Sequence, residues 1–165
     1  MFKFIRLSSS MLLTGAALGL AILTGCTASV PMYESDISNQ SKEFAAPSDN
    51  KAGIYVYRRD GYIAQAVKKD VYIDGVCLGE TAPGVFFYTE VEGDKTHTIA
   101  TESEFSANQI SLFTKPGQNY FIEQYMRVGF FVGQSDLRQV TEEEGKKQVR
   151  ACQQAIPGTC KQAYQ

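Results

Sequence analysis

The chain has 165 residues, with 16 Lys and Arg against 18 Asp and Glu for a net charge of −2, one His and no Trp. That balance excludes an electrostatic grip on nucleic acid, and a single His leaves little for an imidazole-based metal site. With 44% apolar residues, including 10 Phe and 9 Tyr, there is material for one self-sufficient core.

Lys3 and Arg6 precede an apolar stretch from Met11 to about Gly25, the charged-then-greasy layout of a secretory signal peptide. At roughly 15 residues the stretch falls short of the ~20 needed to cross a bilayer as a helix. It ends in Leu23-Thr24-Gly25-Cys26. These four residues resemble the bacterial lipobox: an aliphatic residue, a small one, Gly or Ala, then Cys. The resemblance implies cleavage between Gly25 and Cys26, a diacylglycerol on the Cys26 thiol and acylation of the freed amine. Two or three acyl chains at about 0.8 kcal/mol per buried methylene hold a protein almost irreversibly on a membrane. Thr27, where Asp would imply inner-membrane retention, points by the same resemblance to the outer membrane, facing the periplasm. Without residues 1–25 the chain keeps 14 basic against 18 acidic residues. About 140 residues then remain for one domain and a linker.

From Thr27 to about Asn50 the chain is Ser, Asn, Gln, Pro, Ala and scattered charge without a sustained apolar period, a composition that cannot repay the entropy of ordering. Residues 26–50 therefore read as a lipidated start and flexible tether. As a coil it would hold the domain on the order of 25–30 Å from the lipid. A short helix around Met32 to Phe44 is the alternative.

Residues 51–140 read as a β-sandwich domain. Gly53-Ile54-Tyr55-Val56-Tyr57-Arg58 is a strand by its β-branched and aromatic content, with Ile54 and Val56 on one face and Tyr55 and Tyr57 on the other. Val71-Tyr72-Ile73-Asp74-Gly75-Val76-Cys77-Leu78 predicts a hairpin, because Asp-Gly suits a type I′ turn. Its register would put Ile73 opposite Val76 and Val71 opposite Leu78 as one apolar face, with Tyr72 and Cys77 on the reverse. Strands follow at Val85 to Val91, Thr96 to Thr101, Gln109 to Phe113 and Gln118 to Tyr125, separated by turn signals at sandwich spacing.

Residues 141–165 read as a helix and tail. Thr141 caps the first turn, Glu142 to Glu144 suit the positive end of the helix dipole, and Gly145, Val149, Cys152 and Ile156 share one helical face. Pro157-Gly158 ends the helix. With Cys26 given to lipid, Cys77, Cys152 and Cys160 remain, and a turn at Pro157-Gly158 favours a Cys152–Cys160 disulfide. The competing pairing joins Cys77 to one of the other two.

Four pieces in order are together moderately specific: Gly53 to Arg58, the Val71 to Gly75 hairpin with Leu78-Gly79, Lys115-Pro116-Gly117 before Tyr120-Phe121, and Gly129 to Val140. They resemble a family of bacterial lipoproteins, domain-of-unknown-function family 2846; PEGA-like domains share the hairpin. The resemblance spans Gly53 to about Ala151. It implies an all-β, immunoglobulin-like or transthyretin-like sandwich, here with one C-terminal α-helix, lipid-anchored in the envelope. It brings no catalytic residues.

For chemistry, a Cys77/His97 dyad lacks an orienting third group, and no residues stand at metal-ligand spacing. The carboxylate pairs Glu90/Glu92 and Glu102/Glu104 read as solvated faces, while Glu123 shares a strand face with Phe121 and Tyr125 and is a candidate to cap a binding surface. Better candidates for contact are aromatic: Tyr55, Tyr57 and Tyr72 on faces opposite the apolar ones, and Phe130 and Phe131 in Gly129-Phe130-Phe131-Val132-Gly133. For the three tyrosines the competing reading is packing beneath the C-terminal helix or a second sheet, and for the Phe pair it is a buried strand.

The sequence therefore points to a non-enzymatic lipoprotein without cofactor, anchored through acyl chains on Cys26 and presenting its sandwich to a protein or glycan of the envelope. The rival readings are an accessory lipoprotein of a secretion or envelope-assembly machine, and an enzyme acting on cell-wall material.

Overall fold

In the computed structural model, which describes residues 27–102, 108–127 and 134–161, the β-branched and aromatic segments pair into two sheets. In chain order the elements are α1 (Ser35–Ser41), β1 (Lys51–Arg58), β2 (Lys69–Ile73), β3 (Val76–Thr81), β4 (Val85–Glu92), β5 (Lys95–Thr101), β6 (Asn108–Thr114), β7 (Asn119–Arg127), β8 (Gln134–Val140), α2 (Glu142–Arg150) and β9 (Gln153–Gln154). One sheet has the order β8-β7-β1-β4-β9 and the other β3-β2-β5-β6. The expected all-β sandwich is what the chain forms.

The period of two along β1 assigns its residues to two different cores. Ile54 and Val56 point between the sheets, where they meet Val71, Ile73, Leu78, Phe87, Ile99, Leu112, Ile122 and Leu137. Tyr55 and Tyr57 point outward, yet they are buried too, among Phe44, Phe86, Phe121, Val149 and Cys152. The molecule thus has three layers, the third being α2 and the segment around α1. The β2–β3 hairpin turns at Asp74 and Gly75, both at positive φ (52° and 77°), as a type I′ turn requires. Its register departs from expectation beyond Tyr72↔Cys77, because a bulge pairs Val71 with Gly79 and leaves Leu78 as the extra residue. Leu78 still reaches the inner core, whereas Val76 at the tip is 70% exposed.

Thr141 caps α2 as expected, its Oγ1 accepting from the Glu144 amide at 3.3 Å. Gly145 faces Phe121 so closely that a Cβ there would lie 2.2 Å from Phe121 Cγ. The contact explains a residue that weakens a helix by about 1 kcal/mol relative to Ala. Gly145→Ala is accordingly expected to lower stability, since the ~1–3 kcal/mol cost of overpacking exceeds that gain. Urea unfolding checks it, and a raised midpoint would show that α2 does not sit on Phe121 this way.

Three expectations are corrected. Residues 27–50 are not a loose tether: Val30 enters the inner core, Phe44 the outer one, and the Gln154 amide donates to Ser38 Oγ at 3.0 Å. The alternative, a short helix between Met32 and Phe44, is realised by α1. The C-terminal helix stops at Arg150 rather than at Pro157, because the following residues are drawn to the open edge of β4. There Gln153 N donates to Gly84 O at 2.9 Å and Ala155 N to Phe86 O at 2.8 Å. Finally, the disulfide joins Cys77 to Cys160, with Cα atoms 6.0 Å apart, and Cys152 is free and buried. Proximity in sequence misled here: the chain after Cys152 runs along β4 and then to β3, where Gly158 N donates to Leu78 O at 2.9 Å. Cys152 stays in the outer aromatic cluster while Cys160 is carried to the other sheet.

Candidate functional site

The strand parity that buries Ile54 and Val56 also buries Arg58, which is only 2% exposed. Its Nη1 donates to Val67 O at 2.8 Å and its Nη2 to Ala64 O at 2.6 Å, so one guanidinium fixes the loop of residues 59–68 from beneath. Burial draws its pKa down to about 10, which leaves it cationic at neutral pH. Ala64 holds a positive φ of 56°, a conformation a non-glycine residue keeps only where its surroundings enforce it. On the outer side of the same loop Gln65 O accepts the Ala28 amide at 2.8 Å. At its crest Tyr62 is 96% and Ile63 53% exposed. A cleft of about 320 Å³ lies between this loop and the end of β7, with Arg58, Arg59, Tyr62, Ile63, Tyr125 and Met126 in its lining.

Glu123 stands beside the cleft, buried, and holds two guanidinium groups. Arg59 Nε approaches its Oε1 at 2.8 Å, and Arg138 Nη2 its Oε2 at 2.7 Å. Arg59 also reaches Glu144 on α2 at 3.0 Å, which links the loop to the helix. Glu123 is thus a clasp between loop, β8 and α2 rather than a cap over a bare surface. Next to it the Tyr57 hydroxyl is buried without a hydrogen-bond partner among the described residues. Burial, then the Glu123 charge, push its pKa up to about 12, against the pull of neighbouring Arg59.

The tyrosines expected to form a contact surface do not form one. Tyr55 and Tyr57 are buried beneath the outer layer, and Tyr72 is buried beside the disulfide with its hydroxyl donating to Asp70 Oδ2 at 3.1 Å. Tyr55 and Tyr57 instead follow the competing reading and pack beneath the C-terminal helix, where Val149 of α2 is joined by Phe44. Phe130, Phe131, Gly25 and Cys26 lie outside the described residues. The Cys77/His97 dyad is ruled out because Cys77 is in the disulfide. His97 is buried, its Nδ1 2.6 Å from Asp74 Oδ2 and its Nε2 2.9 Å from Glu92 O. Both partners are acceptors, so the ring is occupied as a brace between strands. Burial raises the Asp74 carboxyl, but the bonds from His97 and Thr98 outweigh it and hold it below the usual range. The carboxylate pairs are engaged as well: Glu90 accepts from the Ser48 amide at 3.1 Å, Glu92 pairs with Lys51, and Glu102 lies 3.2 Å from Lys69 Nζ. Glu104 is outside the described residues.

The loop with Tyr62 and Ile63 was missed. Its one legible signal is Arg58, a cation at an inward register position two residues beyond Val56.

These features define a class: a two-sheet sandwich with a helical cover on one sheet, and with the segments before α1 and after α2 paired at its edge. Residues 48–135 match the family described as Protein of unknown function (DUF2846). A relative from Haemophilus influenzae, described as an uncharacterized protein, is 45% identical over 139 residues, which is 84% of this chain and 82% of the relative. The chain belongs to the DUF2846 family. No solved structure gives a significant match. Among the described residues no helix is long and apolar enough to cross a membrane.

Proposed function

We propose that the chain is an envelope lipoprotein, anchored through acyl chains on Cys26 at the outer membrane and facing the periplasm. Its sandwich serves there as a non-catalytic structural or binding module toward an envelope protein or glycan. The observation that supports this best is the Cys77–Cys160 disulfide, which ties positions 83 residues apart. Such bonds persist in oxidising compartments and are rare in a reducing cytosol. The reading gives every cysteine a separate fate: Cys26 takes lipid, Cys77 and Cys160 pair, and Cys152 is withdrawn from chemistry. Burial pushes the Cys152 thiol up to about 11, so little thiolate forms at neutral pH.

The test is Cys26→Ser in the producing bacterium. The parent is expected in the membrane fraction with acyl groups on Cys26 by mass spectrometry, and the variant is expected unprocessed and unacylated. A variant matured and retained in the membrane like its parent would overturn the proposal.

A further inference from the structure

We infer that the pole of the sandwich bearing the 59–68 loop rests on the lipid bilayer, with Tyr62 and Ile63 seated among the headgroups. The inference rests on acylation of Cys26, but its content comes from how closely after it the chain is held to the domain. Ala28 is already pinned, its amide donating to Gln65 O at 2.8 Å. Val30 lies in the inner core, Ile156 N donates to Pro31 O at 2.9 Å, Met32 bridges Ala155, and Tyr33 N donates to Gln154 O at 2.9 Å. The segment therefore cannot pay out as slack without dismantling these contacts. From Cys26 to Ala28 there are two peptide steps, a reach of at most about 7 Å. The lipid must then enter the membrane beside Gln65.

Tyr62 is three residues from Gln65, at most about 11 Å along the chain. The loop so placed exposes an aromatic ring with a polar tip next to an aliphatic side chain, the pairing of groups favoured at a membrane interface. Arg58 fixes the loop's backbone through two carbonyls, so presenting these side chains costs little additional ordering. The anchor fixes distance and the loop fixes orientation. The opposite pole, where Phe113 is 54% exposed, faces away from the lipid.

The chain contains no Trp, so one substitution makes a clean reporter. Full-length acylated Tyr62→Trp and, separately, Phe113→Trp would be reconstituted into phosphatidylethanolamine/phosphatidylglycerol vesicles with brominated acyl chains. Emission from position 62 is expected to shift to the blue and lose intensity relative to unbrominated vesicles, while emission from position 113 stays red and unquenched. Equal behaviour at the two positions, with Cys26 acylated and the protein floating with the vesicles, would overturn the docking and leave the anchor standing. Protein that neither carries acyl groups nor floats would overturn the anchor, and the docking with it.

Discussion

The Cys77→Ser/Cys160→Ser double variant is expected to unfold in urea with a stability lower than the parent's by about 2–5 kcal/mol. The bond closes a loop of 83 residues, and long loops are where a cross-link restricts the unfolded chain most. Among the described residues the tail is held beside β3 by a few polar contacts besides the disulfide. Gly158 N donates to Leu78 O at 2.9 Å, Lys161 N to Asp70 Oδ2 at 2.9 Å, and Lys161 Nζ pairs with Glu80 at 3.1 Å from an exposed position. Exposed ion pairs contribute about 0–1 kcal/mol, so these contacts cannot replace the covalent link. Against a typical total of 5–15 kcal/mol the loss is large. A reductant should move the parent's midpoint to that of the variant. A parent midpoint indifferent to reductant would mean that the two thiols are not joined.

Tyr55→Ala is expected to cost about 3–5 kcal/mol, the range for truncating a large buried aromatic side chain. The ring lies at the centre of the outer cluster, stacked on Phe121 with centroids 5.0 Å apart and bordered by Phe44 at 5.3 Å and Tyr88 at 4.6 Å. Its hydroxyl donates to Ser41 O at 3.0 Å, holding the end of α1. The variant should therefore lose global stability and also become open to proteolysis between α1 and β1. Tyr55→Phe separates the two effects: it keeps the ring and gives up one hydrogen bond, a change of about 1 kcal/mol. Equal protease resistance in parent and Tyr55→Ala would show that the α1 segment is held by something other than this ring.

Strand positions were legible because period-two alternation and Asp-Gly turn chemistry are local: Ile54/Val56 against Tyr55/Tyr57, and Asp74-Gly75, need no distant information. What covers a face is not local. Cover of Tyr55 and Tyr57 by the C-terminal helix is a reading the sequence leaves open, since Val149 lies on the helix's apolar face, but Phe44 lies in a polar stretch and only the assembled fold brings it over β1. The order of residues 27–50 is hidden in the sequence for the same reason. Their order comes from a few fixed points, Val30, Ser38 and Phe44, and from the backbone of β9, none of which makes an apolar period. The cysteine pairing failed because short sequence separation says nothing about an intervening extended segment. Gly145 was legible as a helix weakness but not as a packing requirement, since Phe121 lies on another element.

The bridge between Met32 and Ala155 places the segment before α1 and the segment after α2 side by side, next to β4. Until residues 153–155 have been delivered, β4 keeps a bare hydrogen-bonding flank, the kind of edge that invites pairing with a foreign chain. A polypeptide that folds as it emerges, earlier residues first, would thus keep that flank bare until residues 153–155 follow, long after β4 itself has appeared.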